Sequence, residues 1–511
     1  MNSKSLITIG FTVLGVIFAV FAGVAILMNP TGGIAGVSKL VTAICAICAF
    51  VSPRRGLFIL AAQAIYTDEL KRVGVYYGAV SMDTVQEILI GPLLTLCALN
   101  CGFLVQVMFG KVKMSALGWA LFGIAPILGL YFLSGGGIGG GDTLMKRAYN
   151  AGTAGLYTTV IPLSFGLFRE LKDWVKFLTF QTVLVVPSAG WAIWQYFNGF
   201  NNMEWTYARS GLSPVHTSQM LEFIRPRVFG FFGSASALGC LSVYFAFAAW
   251  RTYAIRSWRW LFLLFSAILF AGIIVSTQRG TLILPFLFVI AMFCAYSKLR
   301  TFAFYGILGS VFIIGVWQST WLLDEGIDKA NAAVASNSKW GSEVLTFGTF
   351  SDRLRGWERL KRPESWSIFG TETELTSSVA SIDVASGDYS HDMINRVLIR
   401  TGAMGLGAVV ILGGLLALTL HRTVWRLSKG EARSAGAFAL GVTIPIILSS
   451  AAGGDNFTAT PYNLAIWSVF GGVFLLKRIQ DDERKLNPLQ GSLHVHGTET
   501  PLSSFHPAIE R

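Results

Sequence analysis

An all-α, polytopic helical membrane protein of about 12–14 transmembrane helices, with one long outward loop, is the fold class this sequence predicts. Three observations predict it. Of 511 residues, 53% are hydrophobic and only 13% charged, whereas a soluble domain carries about a quarter charged residues. Mean hydropathy is +0.57, and apolar runs of about 20 residues, the length that crosses hydrocarbon as a helix, recur along the whole chain. One long polar stretch, 323–392, interrupts them.

Taken in order, the run from Leu6 to Met28 exceeds a signal-peptide core of roughly 7–15 residues and ends in no convincing small-residue cleavage pattern. It is expected to be a retained first helix. Further spans are expected at 36–52, 86–108, 115–133, 150–168, 176–196, 228–250, 258–276, 281–297, 302–322, 393–420, 434–452 and 460–477. Between the second and third, Pro53-Arg54-Arg55 opens a short apolar segment, Gly56 to Tyr66, which turns charged at Asp68-Glu69-Leu70-Lys71-Arg72. A half-helix, an interfacial helix and a short crossing all fit it.

Lysine and arginine concentrate in short connections on the cytoplasmic side of membrane proteins. The basic loops at Lys111/Lys113, Arg169 to Lys176, Arg251 to Arg259, Lys298/Arg300, Arg422 to Arg433 and beyond Lys477 share one side if the spans from 86 onward alternate. The loops at 197–226, 277–280, 323–392 and 453–459 then face outward. The chain accordingly divides into amino-terminal helices (1–220), a second helical core (221–477) that includes the loop 323–392, and a polar tail (478–511) expected to be disordered and cytoplasmic.

The formal charge of +12 does not make this a nucleic-acid-binding protein, because the cations sit in inter-helix loops as membrane anchoring requires. The six cysteines lie inside apolar runs. Cys45-Ala46-Ile47-Cys48 has C-x-x-C spacing but no partners nearby, so packing explains it better than redox or metal work. No metal-ligand spacing stands out, and Gly135 to Asp142 lacks the strand and the Gly-Lys-Ser/Thr ending of a phosphate loop.

Chemistry is instead suggested where polar side chains stand against the pattern. Tyr389-Ser390-His391-Asp392-Met393-Ile394-Asn395-Arg396 closes the long loop, placing an imidazole at a membrane surface. Its bland reading is a solvated loop histidine. Asn395 lies one helical turn on, and Asp392, Arg396 and Arg400 fall at i, i+4 and i+8. An arginine at position 400 inside hydrocarbon costs about 2.5–3.5 kcal/mol unless it lines a polar cavity, pairs or snorkels. In Thr277-Gln278-Arg279-Gly280 the arginine occupies a tight outward turn, against the positive-inside bias. Arg225-Pro226-Arg227 precedes the glycine- and aromatic-rich Val228 to Gly233; interfacial anchoring explains it almost as well as ligand binding. Amphipathic spacing marks Phe350 to Leu360, which contains Arg353 and Arg355. Together, outward arginines and one imidazole describe a site for a phosphate-bearing substrate, since guanidinium fits phosphate bidentately.

The order of these motifs resembles the bacterial O-antigen ligase and polysaccharide polymerase superfamily, over about residues 220–475. The resembling stretches are Arg225-Pro-Arg227-Val-Phe-Gly230-Phe-Phe-Gly233, Ser276-Thr-Gln-Arg279-Gly280, Arg353 to Trp357 in the long loop, and Ser390-His391 leading to Gly402 and Gly405. The resemblance implies transfer of a glycan from an undecaprenyl-pyrophosphate carrier to an acceptor hydroxyl, on another glycan or on lipid A core, without metal, cofactor or nucleotide sugar. It implies a multi-pass protein of the bacterial inner membrane with its site facing the periplasm and lipids around it. His391 would be the base, and Arg225, Arg227 and Arg279 would bind pyrophosphate. Arg353, Arg355, Asp392, Asn395 and Arg400 would support them. Asp392 departs from the asparagine that commonly follows this histidine in the family. The unusual amino-terminal half and the lack of a core-lipid motif favour a polymerase over a ligase. The rival from another class is a transporter or flippase of lipid-linked oligosaccharides, which predicts midplane ionisable residues and paired repeats; neither is clear in the sequence.

Overall fold

Long apolar runs with their charges held at the ends fold as helices here, because a helix satisfies every backbone polar group within its own segment. The computed structural model describes residues 30–77, 85, 88–134, 152–153, 155–210, 228–233, 235–255, 257–276, 284–290, 366–368, 393–424, 431–453 and 460–486. Among these there is no strand. The helices are α1 (Pro30–Val51), α2 (Pro53–Tyr76), α3 (Gly91–Met108), α4 (Ala116–Ser134), α5 (Val160–Leu167), α6 (Leu171–Asn198), α7 (Asn202–Arg209), α8 (Cys240–Ala254), α9 (Arg259–Val275), α10 (Met393–Val424), α11 (Glu431–Gly453) and α12 (Tyr462–Leu486), with 3₁₀ turns leading into α5 and α8. Among the described residues four stretches are long and apolar enough to cross a membrane: Gly33–Val51, Gly91–Met108, Leu171–Asn198 and Gly402–Leu420. On α1 the large apolar side chains Leu40, Ile44, Ile47, Phe50 and Val51 stand exposed at helical spacing, as a lipid-facing stripe would.

The interior is built on α6, α8 and α12. Trp174 of α6 is fully buried and donates from Nε1 to the Ser468 carbonyl at 2.8 Å. Its ring occupies the space a side chain at Gly472 would need, since a Cβ there would lie 2.1 Å from it. A polar seam continues the contact: Gln181 Nε2 donates to Ser468 Oγ at 3.1 Å, and the Tyr244 hydroxyl donates to Gln181 Oε1 at 2.9 Å. Small residues for close approach and paired amides across helices are how apolar helices associate where burial of hydrocarbon offers little.

The two ends of this bundle differ. At one, Arg54 at the start of α2 pairs with Asp173 at the start of α6, and Arg478 of α12 donates to the carbonyls of Phe165 and Phe168. The basic segments 169–176 and 477 onward therefore share an end, as the lysine and arginine bias predicts. Phe438 near the start of α11 also packs here, against Trp174 and Trp250.

Several expected boundaries move. The segment 53–76 is one continuous helix, about 36 Å long at 1.5 Å per residue, rather than a half-helix. It runs beside α6 in the same direction, from the Arg54–Asp173 pair, past the Tyr66 hydroxyl on the Leu184 carbonyl, to the far end. The span expected at 228–250 starts as helix only at Cys240; residues 228–233 form a non-helical turn, because Gly230 sits at φ +59°, outside helical geometry. Within the span expected at 150–168, Leu156–Thr159 form a 3₁₀ turn and Val160–Leu167 an α-helix. The helix expected at 393–420 is broken at Gly402 (φ 69°, ψ −170°). The Ser367 carbonyl accepts from Ala403 N at 2.9 Å, supplying the break with a partner from the long loop. Finally, α12 continues past Lys477 to Leu486, so the expected disordered tail starts no earlier than 487.

Candidate functional site

Of the residues singled out in the sequence, Arg225, Arg227, Arg279, Arg353, Arg355, His391 and Asp392 lie outside the described residues. Asn395 and Arg400 lie on the short helical piece of α10 before the Gly402 break, and only their backbone is described. Because the apolar span begins at Gly402, position 400 precedes it rather than standing within it.

The described residue nearest each motif is nevertheless placed. Val228 follows Arg227, Ser276 precedes Arg279, and Met393 follows Asp392. The turn 228–233 sits on the far end of α6. Gly239, at the start of α8, abuts the Tyr462 ring at the start of α12, and Gly272, near the end of α9, abuts Ala189 and Leu241. Val228 and Ser276 therefore lie toward the bundle end opposite Arg54, Asp173 and Arg478. Since α11 begins at the basic end and follows α10 in the chain, the part of α10 after its break starts, at Gly402, toward the other.

At that end the structure assembles a cluster that the sequence did not single out as a site. Residues 68 and 71, and 69 and 72, lie about one turn apart on α2, so each pair of side chains meets. Arg72 is fully buried. Its Nη1 lies 3.0 Å from Glu69 Oε2 and 3.9 Å from Glu204 Oε1, and its Nη2 donates to the Phe232 carbonyl at 2.9 Å. Its guanidinium stands over the Phe229 ring, 4.6 Å from the centroid. Lys71 pairs with Asp68 at 3.6 Å and lies over the Tyr207 ring.

Glu204, from α7, is buried as completely as Arg72 but well supplied with donors. Trp191 Nε1 at 2.6 Å and Gln195 Nε2 at 2.5 Å reach Oε1, and Asn201 N reaches Oε2 at 2.8 Å. The last of these is half of a capping box, Asn201 returning the contact by accepting from Glu204 N. Burial pushes the Tyr207 phenol above its usual range, against the pull of Lys71. It therefore stays protonated and donates to the Gly233 carbonyl at 3.3 Å.

What these side chains hold is the turn 229–233. Gln195 Oε1 accepts from Phe229 N at 3.1 Å and Gly230 N at 2.9 Å; Ser188 Oγ accepts from Phe231 N at 2.9 Å; Asp68 Oδ2 accepts from Gly233 N at 2.8 Å. Together with Arg72 on the Phe232 carbonyl and Tyr207 on the Gly233 carbonyl, they replace the ladder a helix would have supplied. Irregular backbone is tolerated at the end of an apolar bundle only when protein groups satisfy it in this way. The cluster is thus an anchor for the segment immediately after Arg225 and Arg227. Its local sequence signal was the charged run 68–72 and the Asn201-x-x-Glu204 cap. That the charged run meets the turn 229–233 was not visible, since 160 residues separate Arg72 from Phe232.

Among the described residues no group of three or more histidine, cysteine or acidic side chains is placed to hold a metal ion. No family model matches the chain, and no curated protein matches it.

Proposed function

We propose that the protein is a membrane glycosyltransferase that moves a glycan from a polyprenyl-diphosphate carrier to an acceptor hydroxyl at the outer face of the bacterial inner membrane. What supports this reading is that Val228 and Ser276, the described neighbours of two outlying motifs, lie toward the bundle end opposite the basic loops. By the positive-inside rule that end faces outward. In this reading the four long apolar helices are part of about 12–14 crossings.

A diphosphate is a good leaving group once its developing charge is neutralised, and fixed guanidinium groups at 225, 227 and 279 do this by preorganised electrostatics. A sugar hydroxyl is a poor nucleophile near neutral pH. His391, with a reference pKa near 6.5, takes its proton as the oxygen attacks the anomeric carbon. The carbon–oxygen bond to the diphosphate breaks as the new glycosidic bond forms, so configuration inverts. The site belongs at an interface because the prenyl tail needs lipid while the sugars need water. A polymerase that extends carrier-linked units fits better than a ligase to lipid A core.

The test is His391→Ala and Arg279→Ala in the native host, scored as surface glycan on gels with membrane insertion checked in parallel. Both variants are expected to insert normally and to lose the glycan. Unchanged glycan ladders from both would refute the roles assigned.

A further inference from the structure

The corner where α6 gives way to α7 is built almost without charge. From Phe177 to Ala208 the chain carries one ionisable acid or base, Glu204, and that carboxylate is buried. The exposed side chains between 191 and 206 are Trp194, Phe197, Asn198, Asn202 and Thr206. Trp194 stands about 32 Å from Asp173 along α6, slightly more than the roughly 30 Å of a hydrocarbon core, so the corner emerges at the outer surface.

Its rings are held in place. Trp191 Nε1 donates to Glu204 Oε1 at 2.6 Å, which turns that indole inward and fixes its plane. Trp194 stacks on it, with centroids 4.8 Å and planes 18° apart, and the Phe231 ring lies 5.9 Å from Trp191. Trp191 thus covers one face of Trp194, while 40% of Trp194 and 72% of Phe197 stay exposed. Gln195, the next residue, accepts from Phe229 N and Gly230 N, so the stack is fixed to the turn that follows Arg225 and Arg227.

The opposite end of the bundle offers a contrast. There the exposed Trp258 and Trp260 flank the exposed Arg259, a pairing of aromatic and cation that suits anionic lipid headgroups. At the α6–α7 corner the exposed rings are accompanied by amides and a hydroxyl instead of cations. Such a surface suits a neutral ligand with an apolar face and polar edges. The face of a pyranose ring offers weakly positive C–H groups to the negative face of an indole, and its hydroxyls both donate and accept, as the Asn198 and Asn202 amides do. A tryptophan already locked in position loses little freedom on binding. We infer that this corner binds a sugar ring of a neutral glycan, stacked on Trp194 beside Asn198. The inference rests on the glycosyltransferase reading for its biological meaning, the ring being part of the chain that is transferred or extended.

The full chain in phosphatidylcholine nanodiscs is probed by saturation-transfer NMR with maltotriose, chitobiose and oligosaccharides released from the host's surface glycan by mild acid. A saturation signal from at least one of them is expected. Trp194→Ala should lower that signal at least fivefold with the thermal midpoint unchanged, and Trp194→Tyr, which keeps a flat ring, should retain most of it. Trp260→Ala, at an exposed tryptophan of the basic end, should bind as the parent does. In the native host Trp194→Ala is expected to shorten surface glycan chains. If no oligosaccharide binds, or if Trp194→Ala binds as the parent does, the inference is overturned. It is overturned equally if Trp194→Ala impairs membrane insertion alone, which would make the corner a lipid anchor. If His391→Ala and Arg279→Ala leave the surface glycan untouched while Trp194→Ala still abolishes the saturation signal, the transferase reading fails and the sugar site stands.

Discussion

Arg72 shows what one residue can decide in this protein. A guanidinium with no exposed surface is stable only because two carboxylates, a backbone carbonyl and an aromatic face meet it. Removing one member of such a set leaves the others buried and unpaired, which costs about 3–5 kcal/mol. Arg72→Met is therefore expected to lower the thermal unfolding midpoint of the purified chain sharply. Arg72→Lys should recover only part, because an ammonium lacks the fork that reaches Glu69 and Phe232 in two directions. Adding Glu69→Gln to Arg72→Met should restore part of the stability, since that stranded charge goes with its partner. A midpoint unchanged in Arg72→Met would show that these charges are not buried together.

At the scale of elements, α2 carries the most consequence. Pro53-Arg54-Arg55 reads as a helix start, with proline tolerated in the first turn, and the apolar stretch that follows looks too short to cross. The charged run after it is what lengthens the helix, because its ions are neutralised by α7 and the turn 229–233 instead of by water. Beside a candidate span of 28 residues, a parallel helix of this length is expected to cross as well. Alkaline phosphatase fused after Tyr77 should be active in the periplasm, and fused after Ser52 inactive. Equal activity from the two fusions would place both ends of α2 on one side. Gly402 acts in the opposite sense, dividing what reads as one apolar helix and leaving Asn395 and Arg400 on the piece ahead of the span.

Across the whole molecule, the two ends are held by different physics. Arg54 exposes 53% of its side chain against 7% for its partner Asp173, so Arg54→Ala should change stability by less than about 1 kcal/mol. Asp173→Ala should cost about 1 kcal/mol or more, because the carboxylate also caps Arg169 N and Glu170 N. Residues 173 and 195 stand about 33 Å apart along α6, too far to share partners. The losses from Asp173→Ala and Arg72→Lys should therefore add within about 0.5 kcal/mol in the double variant. A larger coupling in denaturation of the three proteins would mean that the ends communicate through α6.

Hydropathy and the placement of lysine and arginine were enough to show an all-helical, membrane-type chain with one basic end, since both are sums over many residues and tolerate local error. The same patterns located α6, α9 and α11 to within a few residues. Tertiary structure alone decided that Val228 to Gly233 is a turn and that Asp68 to Arg72 is an anchor. Those outcomes depend on pairings such as Arg72 with Glu204 and Asp68 with Gly233. Such pairings join chain positions more than a hundred residues apart, and no local pattern encodes which distant partner will satisfy a buried polar group.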